Sequence, residues 1–214
     1  VGYVSSGSNA GSIVTSGDDA HGMVAWTVST AENTGSIVTS GENAYGMSAE
    51  SDSIVINALS GDITTLGVGS HGMVASNDSL AENAGEILTM GHYADGMLAS
   101  NRSVATNTYD GFILTGGYGS FGMSAIGWSS VYNHGAILTG DGLATGMAAR
   151  ENSTAINWED GFIFTNGEGA RGMEAHEDSL AENRGTIQTL GEEAAGILVS
   201  ENSVGLNSGM ILTA

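Results

Sequence analysis

Four carboxylates in the second half of the chain have the types and spacing that could bind a metal ion. Glu151, Glu177 and Glu201 follow one another at intervals of 26 and 24 residues, and Asp178 lies beside Glu177. If those intervals are turns of a repeating structure, the carboxylates lie about 5 Å apart, and Ca²⁺ would relieve their repulsion. We favour a solvated acidic corner, because the calcium-solenoid motif G-G-x-G-x-D is absent: Gly116-Gly117-Tyr118-Gly119 lacks the Asp.

The histidines are the second set of possible metal ligands. His21 and His71 occupy the same position of the repeat but lie two turns apart, too far to share a metal ion. The other three, His92, His134 and His176, are isolated in the sequence. We therefore predict no metal site and no cofactor, with Ca²⁺ at the acidic corner as the weak exception.

The element that must position all these residues is an internal repeat. Its unit is Gly11–Thr34, GSIVTSGDDAHGMVAWTVSTAENT, and later units begin at a Gly after 24 or 26 residues, at 35, 61, 85, 111, 135, 161, 185 and 209. A fixed period in the twenties indicates a solenoid, in which each repeat packs on its neighbours. We predict one continuous domain over 1–214, with a partial turn at 1–10, full turns over 11–208 and a partial turn at 209–214.

Each unit contains three short segments with strand-like alternation, Gly-x-Ile-x-Thr, Gly-Met-x-Ala and Ser-x-Ala/Val-x-Asn. Three strands per turn predict an all-β fold, a single-stranded parallel β-helix of about nine turns, on the order of 40 Å long. Like residues then stack as inward ladders, whose first members are Ile13, Ile37, Ile63; Thr15, Thr39, Thr65; Met23, Met47, Met73; Ser29, Ser53, Ser79; and Asn33, Asn57, Asn83.

Three details of these ladders are expectations about local structure. The inward Thr and Ser hydroxyls need partners along their own column or on backbone carbonyls. The Asn column precedes a corner, where Asn tolerates the left-handed conformation and its amide can bond the copy one turn away. The residue before Met, or before Ile197 in the last full turn, is always Gly, from Gly22 to Gly196, so a side chain is not tolerated there or the backbone needs a positive φ.

An apolar column lies between Ile and Thr and must point outward if those residues point inward. Its apolar members are Val14, Val38, Leu88, Leu114, Leu138, Phe164 and Leu212. A continuous apolar stripe usually marks a contact surface. We expect it to pack against another copy of the chain; the alternative is that another part of a longer chain covers it.

The repeat resembles a known family. Units of the form N-x-G-x-I-x-T-x-G-x-x-A-x-G-[MI]-x-A, such as Asn33–Gly41 followed by Ala44–Ala49, are similar to the passenger repeats of bacterial autotransporter and filamentous-haemagglutinin-like surface proteins. The resemblance implies secretion, display at the bacterial cell surface, adhesion or fibre-like roles, and a right-handed helix. It covers nearly all of the chain, although Met stands where that family more often has Ile.

Composition excludes several functions. The net charge of −20, with four Arg and no Lys, opposes nucleic-acid binding and docking on anionic membranes, and no apolar run is long enough for insertion. Because the corners vary in length by only two residues, we expect no loop long enough to form a catalytic cleft. We predict a non-catalytic structural solenoid of an extracellular adhesin or fibre. Its expected partners are other copies of itself or a host receptor. The alternatives are a subunit that polymerises end to end, a carbohydrate-binding or lyase-type β-helix, and an ice-binding solenoid. A carbohydrate-binding face needs clustered aromatic or acidic residues, whereas Trp26, Trp128 and Trp158 are scattered along the sequence.

Overall fold

The computed structural model describes residues 5–214, so the first residues of the predicted partial turn, 1–4, lie outside it. The described chain contains 26 strands, and they form three parallel sheets of nine, nine and eight strands. Each strand pairs with the equivalent strands of the turns before and after it, with identical positions of the repeat opposite one another. The predicted β-solenoid with three strands per turn is confirmed.

We name the sheets after their inward ladders. The Asn sheet contains β1 (Ser6–Asn9), β4 (Thr30–Asn33), β7 (Ile54–Asn57), β10 (Leu80–Asn83), β13 (Val104–Asn107), β16 (Ser130–Asn133), β19 (Thr154–Asn157), β22 (Leu180–Asn183) and β25 (Val204–Asn207). The Ile sheet contains β2 (Ser12–Thr15), β5 (Ser36–Thr39), β8 (Asp62–Thr65), β11 (Glu86–Thr89), β14 (Phe112–Thr115), β17 (Ala136–Thr139), β20 (Phe162–Asn166), β23 (Thr186–Leu190) and β26 (Met210–Thr213). The Met sheet contains β3 (Met23–Trp26), β6 (Met47–Glu50), β9 (Met73–Ser76), β12 (Met97–Ser100), β15 (Phe121–Ile126), β18 (Thr145–Arg150), β21 (Arg171–Ala175) and β24 (Ala195–Val199).

The hydrophobic core runs along the axis between the three sheets. It is built from the Ile, Met and Ala columns, whose interior members, such as Ile37, Met47 and Ala49, are completely buried. Ile13 and Met23, in the first full turn, pack against this core but are only partly buried. Burying each Ile or Met side chain stabilises the fold by about 1.5–3 kcal/mol, so the repeated columns supply most of the apolar driving force.

The Gly before each Met is required by packing. A Cβ on Gly72 would lie 2.3 Å from Cγ2 of Ile87 and 2.5 Å from the carbonyl oxygen of Gly96, both in the next turn. The backbone φ at this position is not in the left-handed region. Of the two reasons predicted for this Gly column, close approach of neighbouring turns is therefore the correct one.

The Asn residues form a continuous side-chain ladder. The Nδ2 of each Asn donates to Oδ1 of the Asn one turn later, at 2.9 Å from Asn33 to Asn57 and 2.8 Å from Asn57 to Asn83. These Asn residues end β-strands, and the expectation that they adopt the left-handed conformation is wrong. Positive φ occurs instead at the two other corners: at one residue per turn between the Ile and Met sheets, such as Asn43, and at two successive residues between the Met and Asn sheets, such as Ser51 and Asp52.

Successive members of the Ser column are joined by hydrogen bonds. The backbone N–H of Ser53 donates to Oγ of Ser79 at 3.1 Å, and the N–H of Ser79 donates to Oγ of Ser103 at the same distance. The hydroxyl oxygen therefore accepts a backbone bond at a corner where the left-handed pair interrupts the regular sheet.

Candidate functional site

The outer face of the Met sheet buries polar groups that simple alternation places in solvent. The residue between Met and Ala points away from the core, yet Ser48, Ser124 and Glu174 are each at most 3% exposed. Two neighbouring outward columns cover it. One is the column of His71, Asp95 and Arg171, and the other is the column of Arg150 and His176.

Asp95 is the first buried carboxylate on this face and is 6% exposed. Its Oδ2 accepts the hydroxyl of Ser124 at 2.5 Å, and its Oδ1 accepts the N–H of Phe121 at 2.9 Å. Burial raises the pKa of Asp95, and the nearby His71 together with these two hydrogen bonds opposes the rise without cancelling it. Both carboxylate oxygens of Asp95 therefore accept hydrogen bonds from other residues of the chain.

His71 lies one turn before Asp95 in the same column. Its Nδ1 accepts the backbone N–H of Asp95 at 2.9 Å, so this nitrogen carries no proton. Burial lowers the pKa of His71, and the charge of Asp95 opposes that effect. His21 uses its Nδ1 in the same way, accepting the N–H of Tyr45 at 3.0 Å. These imidazoles complete the hydrogen bonding between turns.

Glu174 is the second buried carboxylate, and it is bound by two arginines. Arg150 donates to Oε1 at 2.5 Å and Arg171 donates to Oε2 at 2.8 Å, while Nε2 of His176 lies 3.6 Å from Oε1. Burial alone would raise the pKa of Glu174, but the hydrogen bonds and charges of Arg150 and Arg171 outweigh it and lower this pKa. The guanidinium of Arg150 also lies over the Phe121 ring, 4.8 Å from its centroid.

The predicted calcium candidates lie on another part of the surface. Glu151, Glu177, Asp178 and Glu201 occupy the left-handed corner between the Met and Asn sheets, and all four are exposed. Their backbone groups form hydrogen bonds between successive turns; for example, the N–H of Asp178 donates to the carbonyl of Glu201 at 3.0 Å. Within residues 5–214, no group of three or more His, Cys, Asp or Glu side chains could hold a metal ion.

The remaining histidines and tryptophans have aromatic or charged neighbours. His134 stacks on Trp158, with ring centroids 5.5 Å apart, and the Arg184 guanidinium covers the other side at 4.2 Å. Trp26 and Trp128 are more than 60% exposed and belong to different columns. His176, isolated in the sequence, in fact lies beside Glu174. The three tryptophans therefore form no common platform.

The predicted contact stripe lies on the outer face of the Ile sheet. Neighbouring members pair in register, such as Leu88 with Leu114 and Leu138 with Phe164. Interior members are partly exposed, and the two at its ends, Val14 and Leu212, are exposed. Self-contact through this stripe stays a prediction. Sedimentation of the Leu88→Ser, Leu114→Ser, Leu138→Ser triple variant tests it, because an unchanged assembly state would contradict it.

Comparison with known protein families agrees with this architecture. Residues 1–95 and 138–214 match the family of the BigA third pectate lyase-like domain, which is most of the chain. The chain belongs to this family. BigA-like domains belong to bacterial surface proteins. No curated protein matches the sequence.

The outer face of the Met sheet carries charged groups in two places. Asp95 has a raised pKa, and three turns later Glu174 has a lowered pKa and lies beside two arginines. In chemical terms these groups could hold a proton or an anionic ligand, but in this BigA-like domain each already bonds another group of the fold. Among the described residues no helix is long and apolar enough to cross a membrane.

Neither buried carboxylate was predicted from the sequence. Strand alternation with the inward Met173 and Ala175 would place Glu174 in solvent. One signal was available: Glu174 is the single acidic residue in a column that otherwise holds small or aliphatic residues, and Arg150 and Arg171 precede it by 24 and three positions. The turn here has 26 residues and pairs Ala148 with Glu174, so Arg150 lies diagonally beside Glu174 on the same face, and Arg171 lies three positions before Glu174 on the same strand.

Proposed function

We propose that this chain is a non-catalytic structural β-solenoid of a bacterial extracellular surface adhesin or fibre. The observation that carries the proposal is the unbroken register of all three sheets from β1 to β26. Enzymes need a concave site assembled from groups that are free to engage a substrate. Here the largest variation between turns is the two-residue insertion before Gly61, Gly111 and Gly161, too short to build one.

The state of the buried carboxylates supports the same proposal. A general acid or base must reach a substrate proton within hydrogen-bond distance. The oxygens of Asp95 already accept bonds from Ser124 and Phe121, and those of Glu174 accept from two arginines. These carboxylates therefore stabilise the outer face of the Met sheet by bonding other residues of the fold.

A lyase is the second candidate, favoured by the family description and by the arginine pair at Glu174. Incubation of the chain with polygalacturonate and Ca²⁺, followed by ultraviolet absorbance of the unsaturated product, separates the two. We expect no rate above buffer for the wild type, Asp95→Asn or Glu174→Gln. A rate that either variant abolishes would establish the lyase and overturn the structural proposal.

Surface display tests the adhesive part of the proposal. The chain is fused to an outer-membrane anchor in a non-adherent bacterium, and attachment to cultured epithelial cells is counted against the anchor alone. We expect increased attachment; equal attachment would restrict the chain to a spacer or fibre. The ice-binding alternative loses its basis, because the Thr column is buried, with Thr39 and Thr65 fully inaccessible.

A further inference from the structure

The corner between the Ile and Met sheets carries an exposed apolar ridge in its central turns. We define the corner ridge as six side chains, each 40–60% exposed: Leu66, Val68, Met90, Tyr93, Tyr118 and Leu143. None of them belongs to the stripe on the Ile sheet or to the buried face of the Met sheet. Contiguous exposed apolar surface of this kind marks an interaction site.

The backbone beneath the ridge is hydrogen-bonded from one turn to the next. At this corner the N–H of one turn donates to a carbonyl of the next: Tyr93 donates to Tyr118 at 3.1 Å, and Leu143 donates to Glu168 at 3.0 Å. The ridge side chains are therefore displayed on a regular hydrogen-bonded ladder. Little ordering entropy remains to be lost when a partner binds.

Two ridge residues stand in a backbone conformation that bulky side chains disfavour. Tyr93 and Leu143 both have φ of 55°, in a column that otherwise holds Asp, Asn, Gly or Glu. For a bulky residue this conformation is strained. Because both side chains are also exposed, neither burial nor backbone preference accounts for them, and strain at a surface position is typical of binding sites.

Large residues of the ridge alternate with glycines of the following turn, which flattens the surface. A Cβ on Gly119 would lie 2.9 Å from the Tyr93 ring, and one on Gly169 would lie 2.8 Å from Leu143. Each large side chain thus lies along the axis over the next turn. Beyond Leu143 a cleft of about 250 Å³ opens between Tyr118, Leu143 and the acidic residues Glu168 and Glu193.

The charges at the two ends of the ridge indicate its partner. Exposed carboxylates precede it at Asp18, Asp19 and Glu42, and others follow it at Glu168, Glu192 and Glu193. Glu42 and Glu168 occupy the same column five turns apart, about 24 Å at the spacing of parallel strands. We propose that the corner ridge binds a segment of another protein, with an apolar centre and Lys or Arg on both sides.

A second copy of this chain does not fit the ridge. The chain has no Lys, and its four arginines are each paired with an acidic residue of the chain, Asp78, Glu174 or Glu182. Two copies would oppose carboxylates to carboxylates. A sugar also fits poorly: the Tyr93 and Tyr118 rings are inclined at 86° and offer no flat stacking platform.

The test is selection of a random peptide library, displayed on phage, against the immobilised chain at low salt. We expect the selected peptides to contain aliphatic or aromatic centres with basic residues on both sides, about seven residues apart if the peptide is extended. A synthetic copy of the best peptide is then titrated by calorimetry. Its affinity should fall with increasing salt, since the flanking contacts are ionic.

The Tyr93→Asn, Leu143→Asn double variant should weaken peptide binding at least tenfold. Asn43 occupies the same column with φ of 52°, so Asn suits this backbone and the melting temperature should not fall. The matched control is Leu59→Asn with Tyr109→Asn, which removes two exposed apolar side chains, 69% and 73% exposed, at another corner. That control should bind as tightly as the wild type.

Several outcomes would overturn the proposal. They are peptides without basic enrichment, equal affinity for the Tyr93→Asn, Leu143→Asn variant, a dimer that this variant abolishes, or a neutral oligosaccharide that perturbs the Tyr93 and Tyr118 resonances. Peptide binding at the corner ridge adds to the proposed structural role and does not depend on it. A lyase activity would overturn that role and leave the peptide result unchanged.

Discussion

At the scale of single residues, Asp95 and Glu174 show how neighbours set the behaviour of a buried carboxylate. Both lie on the outer face of the Met sheet and both are almost inaccessible. The pKa of Asp95 is raised because burial outweighs the charge of His71 and the hydrogen bonds from Ser124 and Phe121, whereas the pKa of Glu174 is lowered because two guanidinium groups outweigh burial. Charge is thus a cost at Asp95 and a source of stability at Glu174.

Removing the two charges should change stability in opposite directions at pH 7. Asp95→Asn keeps an acceptor for Phe121 and can accept or donate toward Ser124, so we expect a gain of about 1 kcal/mol. Glu174→Gln leaves two arginines without a counter-charge, and we expect a loss of about 2 kcal/mol, reduced because both arginines are partly exposed. Thermal unfolding of both variants against the wild type measures the two effects.

The pH dependence provides the control for this pair. A lowered pKa stabilises the fold above the ordinary pKa of glutamate, and that contribution is lost as the pH falls through the lowered value. A raised pKa stabilises the fold below the ordinary pKa of aspartate, and that contribution is lost as the pH rises through the raised value. Both variants should therefore approach wild-type stability in acid, and a difference that persists there would assign the effects to packing.

The sequence was sufficient for the ladders and insufficient for this face. Ile37, Met47 and Asn57 follow from period and alternation alone, because the same residue recurs at the same place in every turn. Glu174 occurs once, so no repetition indicated its environment. Its burial depends on the long Arg150 and Arg171 side chains lying over it, which is tertiary packing that alternation does not report.

At the scale of elements, the Thr column shows how an outward side chain decides whether an inward Thr hydroxyl finds a hydrogen-bond partner. The hydroxyl of Thr89 donates to the carbonyl of Ala94 at 2.9 Å, and Thr39 donates to Ala44 at 2.6 Å. In the later turns the equivalent carbonyls accept strand bonds instead, for example that of Ser120 from the N–H of Thr145. The hydroxyls of Thr115, Thr139, Thr165 and Thr189 then have no hydrogen-bond partner in the described chain.

The change follows the residue that precedes the Gly-Met pair. The side chains of His71 and Asp95 accept the N–H of the next turn, which leaves the backbone carbonyl of that corner to the Thr hydroxyl. Phe121 and Thr145 provide no such acceptor, so the carbonyl joins the sheet and the strands β15 and β18 begin earlier. The predicted backbone-carbonyl partner is therefore correct for the inward Thr hydroxyls of the earlier turns, whereas the four later hydroxyls bond neither a carbonyl nor their own column, and there the expectation is wrong.

Isosteric substitution in the two halves tests this account. Thr89→Val removes a formed hydrogen bond and should cost about 1 kcal/mol, because the Ala94 carbonyl is left unpaired. Thr139→Val removes a buried hydroxyl without a partner and should be neutral or stabilising by about 1 kcal/mol. Denaturant unfolding at a fixed pH compares them, and equal losses in both variants would refute the difference in bonding.

At the scale of the whole molecule, residues of the same type stack on one another in successive turns. Each turn is therefore interchangeable with the turn two units away. The alternation of 24- and 26-residue turns gives a 50-residue super-repeat, whose corner insertions precede Gly61, Gly111 and Gly161. Since each strand pairs only with the adjacent turns, stability should be a sum over neighbouring interfaces. The regular period of the sequence predicts this one-dimensional order.

Deletion of residues 85–134 tests that order. It joins Ala84 to Gly135 and places Ile63 against Ile137 and Met73 against Met147, the same residue types that pair in the intact chain. We expect a folded solenoid with unchanged circular dichroism per residue and a modestly lower melting temperature, because two interfaces are lost and none is mismatched. Deletion of residues 85–122 removes fewer residues but joins Ala84 to the interior of β15, so the ladders lose register and the chain should not fold. If both deletions folded equally well, in-register stacking of identical side chains would not be what specifies this structure.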